Sequence, residues 1–148
     1  MSNLQSNGII AFTTGAGAET KSRARITAAS HRKAALRLTI ISHSTSGPVL
    51  TVELRSGVTT GTPSANVLAK VNPIDPETIQ TTATAFSSGN PTSGGTVLRT
   101  FVVQPGQTRS FPLHMIPGNI GSGNNHLLDI FTTSSSAGDF SLIPDVDE

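Results

Sequence analysis

The sequence contains no cysteine, tryptophan or tyrosine among its 148 residues. Without cysteine there is no disulfide, no thiolate nucleophile and no Cys-ligated zinc. Without tryptophan or tyrosine the chain lacks the rings on which sandwich lectins stack a sugar and single-stranded nucleic acid stacks its bases. Charge is scarce too: Asp, Glu, Lys and Arg make up 13%, about half the usual share of a soluble domain. No apolar run approaches the roughly 18 residues that span a membrane. The opening MSNLQSNG has neither a basic n-region nor an apolar h-region. No Asn-x-Ser/Thr acceptor occurs, because Asn90 is followed by Pro91. The chain is therefore expected to be made and folded in a cytoplasm, without membrane contact.

What is present is hydroxyl and punctuation: 20 Thr, 18 Ser, 14 Gly and 9 Pro. Low charge with many threonines suits strands whose solvent faces carry hydroxyls, broken by frequent turns. Apolar residues alternate accordingly. Leu36, Leu38 and Ile40 share one face of a predicted strand at 34–42, and Leu50, Val52 and Leu54 share one face of another at 49–55. These two read as an antiparallel neighbour pair, with Glu53 near Arg37. Thr96 to Val103 and Thr108 to Leu113 read as a hairpin closed by Gln104-Pro105-Gly106-Gln107, where Pro then Gly suits a type II turn. At 126–133, Leu128 and Ile130 face away from Leu127, Asp129 and Phe131. Residues 65–71 fit a strand or a helical turn, and the Pro-led, acid-rich stretch after Asp75 leaves room for one short helix near 75–85. The expectation is a single all-β domain over 1–148, an antiparallel β-sandwich of jelly-roll type, with extended terminal segments at 1–7 and 144–148 that reach neighbours.

The charges are sorted. Six of the ten Lys and Arg lie between Lys21 and Arg37, and no base follows Arg109, whereas Asp129, Asp139, Asp145, Asp147 and Glu148 all lie there. Simple alternation puts Lys21, Arg23 and Arg25 on one face of a strand, with Arg32 and Lys33 beyond. A net charge of +1 and the missing aromatics turn this segment away from nucleic acid and toward a protein surface. The candidate interface residues are thus Lys21, Arg23, Arg25, Arg32 and Lys33, with Asp145, Asp147 and Glu148 as an acidic counterpart within the chain or on the next copy.

No stretch carries recognisable catalysis. Gly15 to Ser22 has Thr20 where a phosphate loop needs glycine before the lysine, and Glu19 would meet the phosphates with the wrong sign. None of His31, His43, His114 and His126 has a metal-ligand spacing partner. Gly121-Ser122-Gly123 lacks the spacing of a nucleophile elbow. The acidic end lacks the fixed oxygen geometry of a calcium loop. No catalytic, metal-binding or cofactor-binding residue is assigned, though a spatial Ser/His/Asp cluster would reopen the question of an enzyme.

With its strands, the Gln104-Pro105-Gly106-Gln107-Thr108 turn and its Gly/Ser/Thr-rich loops, the chain resembles small virion β-sandwich proteins of tailed bacteriophages. These are head decoration (cement) proteins and related head or tail accessory subunits. The resemblance implies a non-enzymatic virion subunit, assembled in the host cytoplasm, that decorates or stabilises a capsid lattice. Its implied partners are the major capsid protein, other virion subunits and further copies of itself, commonly as a trimer. The rival expectations are a glycan- or host-surface-binding module and a tail or connector accessory subunit.

Overall fold

Alternating Thr, Val, Ile and Leu favour extended backbone, and in a computed structural model of the chain twelve strands form among the described residues. The structure describes residues 4–6, 8–15, 19–28, 33–70, 74, 81–117, 126–134 and 136–147. The strands are β1 (Leu4–Ser6), β2 (Ile10–Thr14), β3 (Glu19–Ala28), β4 (Lys33–Ser42), β5 (Leu50–Ser56) and β6 (Thr62–Asn66). They continue as β7 (Ala69–Lys70), β8 (Thr82–Ser88), β9 (Thr96–Val103), β10 (Thr108–Pro117), β11 (His126–Ser134) and β12 (Gly138–Asp147). No helix occurs among the described residues.

Two antiparallel sheets result. The first runs β10-β4-β12, and the far side of β12 is shared by β2 and by β1, with β7 beyond β1. The second runs β6-β8-β3-β11-β5-β9. The pairing is nested: β2 with β12, β3 with β11, β4 with β10 and β5 with β9. From β2 to β5 each strand enters the opposite sheet from its predecessor, and β9 to β12 retrace that path. Strands β6 to β8 form an excursion between the two halves; β8 and β6 extend the second sheet beyond β3, and β7 closes on β1.

The apolar faces of both sheets meet in one core. Leu36, Leu38 and Ile40 of β4 join Phe140, Leu142 and Val146 of β12 on one side. Leu50, Val52 and Leu54 of β5 join Ala24, Ile26, Leu128 and Ile130 on the other. Phe12 stacks on Phe140 at 5.4 Å between centroids, and Phe101 on Phe111 at 3.9 Å.

Several sequence expectations change. Strands β4 and β5 are not neighbours: the Ser/Gly/Pro-rich link between them crosses from one sheet to the other, and Glu53 bonds Arg55 rather than approaching Arg37. The turn after β9 forms as expected, with Gly106 at φ 71° and the Gln107 amide donating to the Gln104 carbonyl at 3.1 Å. It joins two sheets rather than closing a hairpin ladder, since β9 pairs with β5 and β10 with β4. The helix near 75–85 is replaced by strand from Thr82 onward, where Thr-Ala-Thr-Ala alternation favours extended backbone; 75–80 lie outside the described residues. Leu4–Ser6 and the end of β12 are extended, but they pair with each other instead of reaching outward.

Candidate functional site

A bulge decides the fate of the basic strand. Ala24 pairs with Ile130 and Ser22 with Phe131, so Arg23 is an extra residue without a partner on β11. One inserted residue shifts the alternation by one. Arg25 therefore stays on the outer face of its sheet, and Ser22 joins it there, because both bond the same outer carboxylate. Arg23 turns inward, donating from Nε to Thr132 Oγ1 at 3.0 Å and lying 4.9 Å from the ring centre of Phe12 in the opposite sheet. Lys21, Arg23 and Arg25 do not share a face.

Nor are the two arginines accessible for docking: Arg23 is 8% and Arg25 6% exposed. Arg25 grips Asp129, its cross-strand neighbour, through Nε at 2.8 Å and Nη2 at 3.2 Å. Ser22 Oγ donates to the same carboxylate at 2.8 Å, and Arg25 Nη2 also reaches the Thr60 carbonyl at 2.7 Å. Asp129 is fully buried although it lies on the outer face, because loops from the β5–β9 excursion fold over it. Those loops are pinned by the Ser22 amide to the Pro91 carbonyl (2.7 Å), Asn90 Nδ2 to the Ser22 carbonyl (2.8 Å) and Arg55 Nη1 to the Gly94 carbonyl (3.1 Å). Phe131, also buried, lies under the Arg55 guanidinium at 4.1 Å and outside the main core cluster. A buried, multiply bonded ion pair of this kind fixes a loop to a sheet and is costly to break from one side.

Arg23 is less well satisfied. Its Nη2 is buried without a hydrogen-bond partner among the described residues, 4.0 Å from Glu19. Burial pushes its guanidinium below the ordinary value, and the Glu19 charge opposes that only in part. Glu19 bonds Lys21 and accepts the Gly15 amide at 3.1 Å; first Lys21 and then that amide hold its carboxyl below the usual range. Lys21 thus has a partner two residues away in its own strand.

The remaining predicted interface residues fall apart in the same way. Lys33 opens β4 opposite Pro117, whereas Arg32 and Glu148 lie outside the described residues. Asp145 stands in register with Arg37 of the same chain, and Asp147 with Ala35 and Leu4. Asp147 Oδ1 is buried without a hydrogen-bond partner among the described residues. The acidic end is therefore built into the first sheet, remote in pairing from β3.

One Ser/His/Asp grouping does occur. An open groove of about 500 Å³ over β2 and β12 is lined by His43, Asp139 and Ser141, among others, and His43 Nε2 lies 2.7 Å from Ser141 Oγ. Asp139 makes no hydrogen bond to the His43 ring; what joins the two residues is the His43 amide donating to the Asp139 carbonyl at 3.0 Å. Ser141 sits in a strand paired on both sides, so its backbone is committed to the ladders and supplies no oxyanion donors. The groove offers a hydrogen-bonded Ser–His pair without the orienting carboxylate of a triad. No group of three or more His, Cys, Asp or Glu capable of holding a metal exists among the described residues.

The surface that sequence reasoning missed is β9. It forms one edge of the second sheet, paired with β5 alone, and exposes Val97 (48%), Leu98 (53%) and Val102 (38%). Arg99, also exposed, has no acidic partner among the described residues. The signal was the adjacent pair Val97-Leu98, which denies the strand a clean polar face. Other edges are blunted: β10 carries Pro112, Pro117 and a register break between Leu113 and Ile116, and β6 carries Pro63 between two register breaks. In β9 the one irregularity lies at Leu98, and Arg99 to Val103 pair with Leu54 to Leu50 without a shift and without proline. No family model matches this chain, and comparison with curated proteins and with solved structures finds no match.

Proposed function

We propose that this chain is a non-enzymatic structural subunit of a virus particle, bound to the capsid lattice and to neighbouring copies. Its nested strand pairing in two sheets supports reading the sandwich as a jelly roll, an architecture used by capsid subunits and also by lectins. The observation that carries the proposal is the β9 edge: a proline-free edge strand that gathers three of the six exposed large apolar side chains among the described residues, the others, Ile9, Val49 and Ile74, being scattered. The docking element moves accordingly, from the basic strand β3, whose arginines are buried, to β9. Apolar edge contacts supply most of the binding, and Arg99 with other rim charges sets register.

Particles purified from the source, labelled with antibody to this chain, test the proposal. Regular labelling of the particle surface is expected. Recovery of the chain only in the fraction free of particles contradicts it.

A further inference from the structure

The groove over β2 and β12 holds one residue that does not belong to its sheet. The rest of its lining, from β2, His43 and β12, comes from the first sheet and its loops, whereas Arg23 comes from β3 of the second. It gets there because the β3 bulge turns it inward, and bulges re-aim side chains in this way beside active sites. The position is costly to the cation. Of its guanidinium nitrogens only Nε donates a hydrogen bond among the described residues, to Thr132, and Nη2 is enclosed without an acceptor. Glu19, 4.0 Å from Nη2, balances the charge only in part, because Lys21 and the Gly15 amide share its carboxylate. A buried, under-partnered cation in a cleft is a candidate to bind the group it lacks.

We infer that this groove binds a small carboxylate bearing hydroxyl groups, of the acidic-sugar class, with the carboxylate on Arg23 and the hydroxyls on Thr13, His43, Asp139 and Ser141. Charge selects the anion. One cation beside Asp139 and Glu19 suits a monoanion, whereas a dianionic phosphate would meet those carboxylates with too little positive charge to offset them. The planar guanidinium also matches the two oxygens of a carboxylate. Arg23 is only 8% exposed, so the ligand must enter the groove to meet it. The hydroxyl partners are already placed: Thr13 and Asp139 oppose each other across β2 and β12, and His43 Nε2 and Ser141 Oγ hold each other at 2.7 Å. With no tryptophan or tyrosine to stack a sugar, charge rather than a ring platform supplies the recognition. The groove volume of about 500 Å³ is that of a small-molecule site. The inference is independent of the β9 edge and of the particle reading.

Titration with glucuronate, followed through the amide NMR signals, tests the inference. Saturable shifts are expected at 11–13, His43 and 139–141. Glucose lacks the carboxylate and acetate lacks the hydroxyls; each is expected to bind at least about tenfold more weakly, and inorganic phosphate likewise. Arg23→Met is expected to abolish the shifts. Ser141→Ala, which removes one hydroxyl and leaves the β12 backbone in place, is expected to weaken binding about threefold or more. No saturable shift in the wild-type protein, binding of glucose, acetate or phosphate as tight as that of glucuronate, or undiminished binding by either variant overturns the inference.

Discussion

Strands β3 and β9 belong to the same sheet, β3 two places in from the β6 end and β9 at the opposite edge, and their side chains are disposed in opposite ways. β3 carries Lys21, Arg23 and Arg25, yet its two arginines are nearly enclosed. β9 carries Val97, Leu98 and Val102, all of which face solvent. The difference comes from what lies over each strand. β3 has partners on both sides and a roof of loops held by Thr60, Asn90 and Pro91, so its charges are matched internally by Asp129 and Glu19. β9 has one neighbouring strand, and its apolar side chains remain available although Arg109 Nη1 bonds the Val102 carbonyl at its edge. A charged side chain marks an interaction surface only where it is left without a partner; here the unmatched surface is the apolar one.

Substitutions on the buried side of this comparison should have the largest effect. Arg25→Met leaves Asp129 enclosed without its cation, at an expected cost of about 3–5 kcal/mol and a melting temperature lowered by about 10 °C. Denaturant unfolding checks this value; a loss below about 1 kcal/mol would mean that the ion pair is solvated. Next is the roof itself. Gly95 sits at φ 72°, and a Cβ there would lie 2.6 Å from the Ser56 carbonyl oxygen and from Val58. Gly95→Ala should cost about 1–3 kcal/mol and raise proteolytic cleavage within 89–95. Arg23→Met should change stability by only about 1 kcal/mol or less, because it removes the unpartnered Nη2 along with the Thr132 bond. The contrast between the two arginines is the sharper result, since alternation alone treats them as equivalent.

The smallest expected effect concerns pH. The Glu19 carboxyl is held below its ordinary value chiefly by Lys21, so its stabilisation is complete above the unfolded glutamate pKa and fades as pH falls through the lower folded value. Glu19→Gln should therefore flatten a shallow loss of stability below about pH 4. Unfolding curves measured across that range check the sign; a variant that steepens the loss contradicts it.

Much of the fold was legible because it is local. Leu36, Leu38 and Ile40, or Leu50, Val52 and Leu54, declare their faces by a period of two that any strand imposes. Partner choice was not legible. That β4 and β5 lie in different sheets depends on β9 to β12 returning along the same path, which no neighbouring residue encodes. The Arg23 bulge was hidden for a related reason: it is defined by Ala24 and Ser22 meeting consecutive residues of β11, over a hundred positions away. Alternation placed Asp129 opposite Leu128 and Ile130, but its burial comes from loops folding over the sheet. The β9 edge was missed because exposure depends on what fails to pack beside a strand, and the sequence lists only the strand.

Amide hydrogen exchange followed at low and high protein concentration tests the central claim most directly. The account predicts that the amides of β3 and β11 are protected equally at both, whereas those along the outer edge of β9 gain protection as concentration rises and the β10 edge does not. Exchange of the β9 amides that is independent of concentration, or protection that grows at β10 instead, would contradict it.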